Sequence, residues 1–157
     1  MSKFEREVEI DTPAANAWTV LINASLWPQW FPYMDSVSNV VPLKEGAVIN
    51  WENDGKTGTA TVTKLAPEKE LVILTELDGD KDSHTFTLRS SGGFFGLAAD
   101  EAKLEYHLDT LTAGGIVGRF ITGGNPRDML RVKNATNAFR KLVEAQFPKA
   151  QSQKVFR

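Results

Sequence analysis

Two histidines, two tyrosines and no cysteine leave this chain few side chains with which to do chemistry. His84 alternates with Phe86 and Leu88, and Tyr106 alternates with Leu104 and Leu108, so each sits on the apolar face of a period-two segment. Pointing inward, the two would orient a ligand or move protons, and proton transfer needs an acid neighbour or a substrate atom within hydrogen-bond reach. The simpler reading puts His84 at a strand end and lets the Tyr106 hydroxyl reach water. His107 falls on the opposite face beside Glu105 and Asp109 and reads as a solvated surface residue. Arg6 interrupts the otherwise apolar face of Phe4, Val8 and Ile10. It is either an edge residue whose head reaches solvent or a cation awaiting a carboxylate, from Glu76 or from an acidic ligand. No complete set of acid, base and nucleophile emerges. His84 and Tyr106 are the candidates for a catalytic role, and none is assigned one.

Several nominal motifs dissolve on inspection. Residues 78–82, Asp-Gly-Asp-Lys-Asp, start like a calcium loop, but the glycine is misplaced and Arg89 stands where the closing Glu belongs. The glycines of 92–96 and 114–118 do not open the helix of a strand-helix-strand unit, so they make no nucleotide fingerprint. Two histidines without cysteine do not build a histidine-rich zinc site, and no Gly-x-Ser-x-Gly elbow is present. No metal and no cofactor is expected.

The elements that must position these residues are legible in sequence. Residues 4–10 alternate as a half-buried strand. Thr12 as N-cap and Pro13 at the first helical position open a short helix with an apolar stripe of Ala14, Ala17, Trp18, Leu21 and Ile22. Ser25 caps a second brief helix that Pro28 and Pro32 keep short. Six strands follow, over about 36–41, 47–52, 57–65, 70–77, 83–89 and 102–111, separated by turn signals such as Asn53-Asp-Gly55 and Asp78-Gly-Asp80. Hairpin-length links imply an antiparallel meander. Asn125 caps the last helix, Pro126 opens it, and it runs to about Phe147, with Met129, Val132, Ala135, Phe139 and Val143 among its apolar arc and Leu130 on its polar side. Residues 1–147 form a single domain, and 148–157 read as a frayed polar tail.

Composition narrows the partners. A chain of 157 residues, 41% hydrophobic and 24% charged, can bury a core without disulfide staples. Eighteen Lys and Arg against 20 Asp and Glu leave a net charge of −2, and no basic block exceeds two residues, so nucleic acid is not expected as a partner. The N-terminal segment lacks the apolar stretch of a signal peptide and no later run spans a bilayer, which with the missing cysteines leads to the expectation of a cytoplasmic protein without stable membrane insertion. The strand 71–74 is apolar on both sides, which leaves its inward face open and makes a homodimer a source of cover for the other.

One strand, two short helices, a meander and a long amphipathic helix make an α+β domain whose sheet must wrap the helix. In order and spacing, Ile10-Asp-Thr-Pro13, Ala17-Trp-Thr-Val-Leu21, Trp27-Pro-Gln-Trp-Phe-Pro32, Thr63-Lys-Leu-Ala-Pro67 with Leu71, and the final helix resemble the SRPBCC superfamily. These are the helix-grip proteins that include START-like, polyketide cyclase/dehydrase and pollen-allergen-like members. The resemblance covers most of the chain. It implies a curved antiparallel seven-stranded sheet wrapped around the C-terminal helix and a cavity between them for a lipid, sterol-like or aromatic, polyketide-like ligand. The residues expected at that ligand are Trp30, Trp51, His84, Phe86, Tyr106, Val132 and Phe139, Phe94, Phe95 and Phe120 from the two glycine-rich connections, and Arg6 for its polar end. Trp30 and Trp51 read equally as ordinary core. Phe94 and Phe95, adjacent and flanked by glycines, would form a lid, a partner surface or a membrane-touching tip. The expected function is carriage of a small hydrophobic molecule; the alternatives are a cyclase/dehydratase-type enzyme in the same cavity, or a chaperone-activator-like interaction module.

Overall fold

The structure is a computed structural model and describes residues 2–31, 33–91, 101–111 and 126–148. β1 (Ser2–Ile10) leads into α1 (Ala14–Leu21), a 3-10 turn at Ala24–Leu26 and the single-turn α2 (Trp27–Trp30). Then come β2 (Ser36–Ser38), β3 (Val48–Asn53), β4 (Lys56–Ala66), β5 (Glu70–Leu77), β6 (Asp80–Ser91), β7 (Glu101–Thr110) and the long α3 (Pro126–Gln146). The strands form one seven-stranded antiparallel sheet in the order β1-β7-β6-β5-β4-β3-β2. β1 and β2 are therefore its two edges, and the short helices carry the chain from one edge to the other.

Period-two patterning sorts the sheet into two faces. Ala102, Leu104, Tyr106, Leu108 and Thr110 of β7 are buried on the inner face, while Lys103, Glu105, His107 and Asp109 lie on the outer. Outer polar groups are laced across strands by the Arg89–Glu7 ion pair and by His107 Nδ1, which lies 3.5 Å from Glu5 Oε1. α3 lays Val132, Ala135, Phe139 and Val143 on the inner face, packing mainly against β1 and then against α2 and β7. Each large side chain so buried contributes about 1.5–3 kcal/mol. β5 sends Leu71, Ile73 and Thr75 inward and leaves Val72 and Leu74 half-buried on the outer face.

Two hairpins fix the register. Asp54 and Gly55 (φ 53° and 80°), and Asp78 and Gly79 (φ 52° and 87°), occupy the left-handed region at both central turn positions, the backbone whose twist matches paired strands. Pairing accordingly runs to the turn itself, with Asn53 opposite Lys56 and Leu77 opposite Asp80, so β6 starts three residues before the expected 83. Gly58 matters for close approach instead, because a Cβ there would stand 2.1 Å from the backbone oxygen of Glu76 and 3.0 Å from Trp51 Nε1. Its bare backbone is the bed on which Trp51 lies.

Four local expectations are corrected. Strand 36–41 stops at Ser38, because Asn39 turns to φ 57°. Pro13, and not Thr12, is the residue before α1; Thr12 Oγ1 instead accepts from Asn16 Nδ2 at 2.9 Å. Asn23 caps the 3-10 turn by accepting from the Ser25 backbone N–H, the part expected of Ser25. Met129 does not join the buried stripe of α3: it is 60% exposed and lies along the groove between α3 and the edge strand β1. Asn125 and the tail beyond 148 lie outside the described residues.

Candidate functional site

Strands β5, β6 and β7 bring three polar side chains together on the inner face. His84 is fully buried, and its Nδ1 lies 2.6 Å from the hydroxyl of Tyr106, which is buried as completely. Its Nε2 lies 2.9 Å from Thr75 Oγ1, and Thr75 Oγ1 in turn lies 3.4 Å from the backbone oxygen of Asp82. A carbonyl only accepts. Thr75 therefore donates to Asp82 and accepts from His84 Nε2–H, which leaves Nδ1 to accept from the Tyr106 O–H. The reading of His84 as a strand-end residue and of Tyr106 as water-reaching is overturned, since both stand mid-strand under the helix layer.

Burial holds the His84 imidazole well below the ordinary histidine pKa, and the Arg131 guanidinium pushes in the same direction. The ring is neutral at physiological pH, as the hydrogen-bond directions require. Arg131 itself lies 3.3 Å from Asp82 Oδ2 and stands over the Tyr33 ring at 5.2 Å. With only 11% of either side chain exposed, Asp82 and Arg131 form a largely desolvated pair, and removing one partner would cost far more than the pair contributes. Thr75, Asp82, Arg131 and Tyr33 do not stand out in the sequence. Asp82 carries a signal, since it shares the alternation of His84 and Phe86; Arg131 carries none, because a helical wheel puts it among polar residues.

Around this polar chain the rings close-pack. Trp30 meets Phe86 and Phe139 edge-on at 5.3 and 4.9 Å, Phe86 stacks on Tyr106 at 4.6 Å, and Phe31 sits edge-on to His84 at 4.7 Å. Trp30, His84, Phe86, Tyr106 and Phe139 thus form one cluster. Trp51 belongs to a different part of the sheet, its Nε1 donating to Thr59 O at 3.0 Å over Gly58. Phe94, Phe95 and Phe120 lie outside the described residues.

Arg6 and Val132 meet elsewhere. Together with Phe4, Met129, Leu130 and Lys133, and with Glu5 at the rim, they line a groove of about 700 Å³ between the edge strand β1 and the first half of α3. Arg6 is half-buried on β1, which is an edge strand, and its side chain shares the inward face with Val8 and Ile10. It does not pair with Glu76, which faces Lys81 at 3.9 Å. A concave, mostly apolar site with few polar groups is the usual form of a small-molecule pocket, and this volume falls within the common range of about 300–1,000 Å³. Among the described residues, the one cluster with metal-ligand types is Glu5, Glu105 and His107 on the outer face, where His107 lies 3.5 Å from Glu5 and 3.6 Å from Glu105. No helix among the described residues is long and apolar enough to cross a membrane.

Solved structures share this architecture. The Zhui aromatase/cyclase from Streptomyces sp. R1128 is 20% identical, superposes with a TM-score of 0.67, and the match covers 95% of this chain and 97% of that one. A START superfamily protein from Mycobacterium smegmatis is 15% identical with a TM-score of 0.66, over 92% of this chain and 98% of its own. DynU16, a protein in the dynemicin biosynthetic locus, is 15% identical with a TM-score of 0.66 over 93% of this chain, which spans only 48% of that longer one. At such identities the likeness is one of fold. No curated protein matches the chain. The family described as polyketide cyclase / dehydrase and lipid transport matches residues 1–120, from β1 through β7 and into the connection before α3. With its first strand, two short helices, meander and gripped C-terminal helix all in place, the chain belongs to that family of polyketide cyclase/dehydrases and lipid-transport proteins.

Proposed function

We propose that this protein binds a small hydrophobic molecule between its sheet and α3, with the groove at β1 as the place where the ligand is held. The observation that carries this reading is the groove itself, about 700 Å³ and walled by Phe4, Met129, Leu130 and Val132. Met129 and Leu130 are 60% and 51% exposed, an apolar surface that water leaves readily when a ligand covers it. The family's description supports the class of ligand, lipid or polyketide, without choosing between them. The reading calls for no metal, cofactor, nucleic acid or membrane insertion, and a cytoplasmic site of action goes with it.

Carriage is favoured over conversion by the state of the His84 and Tyr106 pair. A general acid or base must reach the proton it moves, and His84 spends both ring nitrogens on Tyr106 and Thr75 beneath a layer of rings. The enzyme reading keeps one observation in its support, the 2.6 Å contact to a tyrosine hydroxyl that could pass a proton on. Loss of turnover in Tyr106→Phe, with ligand affinity intact, would establish it.

Two measurements test the binding reading. Native mass spectrometry of gently purified protein, followed by extraction, should find a co-purifying lipid or aromatic compound. Heat scans against a lipid and aromatic library should show midpoints raised by about 5–10 °C at a hundredfold excess over Kd. No shift with any member, and no bound molecule, contradicts it.

A further inference from the structure

Resting on that reading, we infer that the groove between β1 and α3 selects an amphiphile with a single anionic head group, gripped by Arg6 and Lys133. The groove is apolar along Phe4, Met129, Leu130 and Val132, but two of its walls end in cations, one from the sheet and one from the helix. Among the described residues neither Arg6 nor Lys133 makes an ion pair or side-chain hydrogen bond. The two carboxylates that flank Arg6 in sequence do not serve it: Glu5 Oε1 lies 3.5 Å from His107 on the outer face of β1, and Glu7 pairs there with Arg89.

Position sharpens the chemistry. β1 is an edge strand, so Arg6 stands on the inward face at the margin of the sheet, opposite Tyr106 in the ladder. Lys133 follows Met129 by one helical turn and therefore shares its side of α3. Like charges facing one concavity repel, and the half-buried Arg6 is only partly hydrated, so an anion entering between them gains from both cations. A guanidinium adds a planar fork that matches carboxylate or phosphate oxygens two at a time, whereas a neutral head group offers it no such pairing. The apolar body of the ligand would then cover Met129 and Leu130, which the fold leaves bare.

The test compares dodecanoate with its methyl ester, two probes that share the chain and differ in charge, by titration calorimetry on the full-length protein below their aggregation limits. Wild type should bind the acid at least about tenfold more tightly than the ester, as expected for one charge-assisted hydrogen-bonded contact. In Arg6→Met with Lys133→Met the acid should fall to the ester's affinity while the ester is unchanged. Arg6→Lys, which keeps the charge and loses the fork, should retain part of the preference. Lys133→Gln, on the exposed side of the helix, serves as the variant whose folding is not in question. Equal affinity of wild type for acid and ester overturns the inference and leaves the hydrophobic-ligand reading standing. Failure of both probes to bind overturns the inference, while the hydrophobic-ligand reading stands or falls with the heat scans across the library. A dimer that dissociates on Leu130→Ser, with no preference for the acid, would assign the groove to a second copy of the chain and overturn the inference too.

Discussion

Phe139 and Met129 stand on the same helix ten positions apart and meet opposite surroundings: Phe139 is fully buried against Trp30, while Met129 is 60% exposed. Beneath Phe139 the sheet continues through β7 and β6, and α2 closes over the remaining side, so rings from three elements fill the layer. Met129 instead faces the edge strand β1 across a groove that it lines together with Phe4 and Arg6. One amphipathic face thus supplies stability at one place and a recognition surface at another. The difference lies in what the sheet places opposite each turn of the helix, not in the helix.

That comparison can be broken most strongly at the packed end. Phe139→Ala removes a ring from a layer without room to collapse and should lower unfolding free energy by about 3–5 kcal/mol in urea titrations. A loss below about 1 kcal/mol would mean that the layer is loosely filled and that the two regions are alike.

The next effect is one of pH. His84 has its folded pKa depressed by burial and by Arg131, so in acid the unfolded chain binds a proton that the folded chain refuses. Stability should therefore be flat above about pH 6.5 and fall below it, by up to about 1.4 kcal/mol per pH unit from this residue. His84→Gln should lose that component, so the gap between variant and wild type narrows as pH falls from about 7 to about 5. A gap that stays constant would mean the imidazole is accessible to protons, and with that the dry layer would be a site.

The smallest expected effect is at the open end. Leu130→Ser should change unfolding free energy by less than about 0.5 kcal/mol, as for most exposed positions, while weakening hydrophobic-ligand binding several-fold. A large loss of stability would show that Leu130 is core after all.

How much of this is legible in the sequence follows from the kind of signal each part carries. Alternation is a local property, so β7 and the inward set His84, Phe86 and Leu88 are readable residue by residue. The hairpins are readable for the same reason, since Asp-Gly pairs announce their backbone. The inward placement of β5 stays open in sequence, because Leu71-Val-Ile-Leu74 is apolar on both sides and only pairing with β4 and β6 chooses a face. Thr75 as the partner of His84 depends on that same register. The groove is least legible: Arg6 stands out, but Met129 and Lys133 acquire their roles from where the sheet stops, which is set by strand order across the whole chain.

The most direct test of the central claim is to irradiate the protein with a neutral alkyl diazirine amphiphile and map the adducts by peptide mass spectrometry. Labels should appear on the peptides that hold Phe4 and Met129 to Lys133, and unlabelled ligand should compete them away. Labels confined to Trp30, Phe86 and Tyr106, or none at all, would contradict a ligand held in the groove at β1.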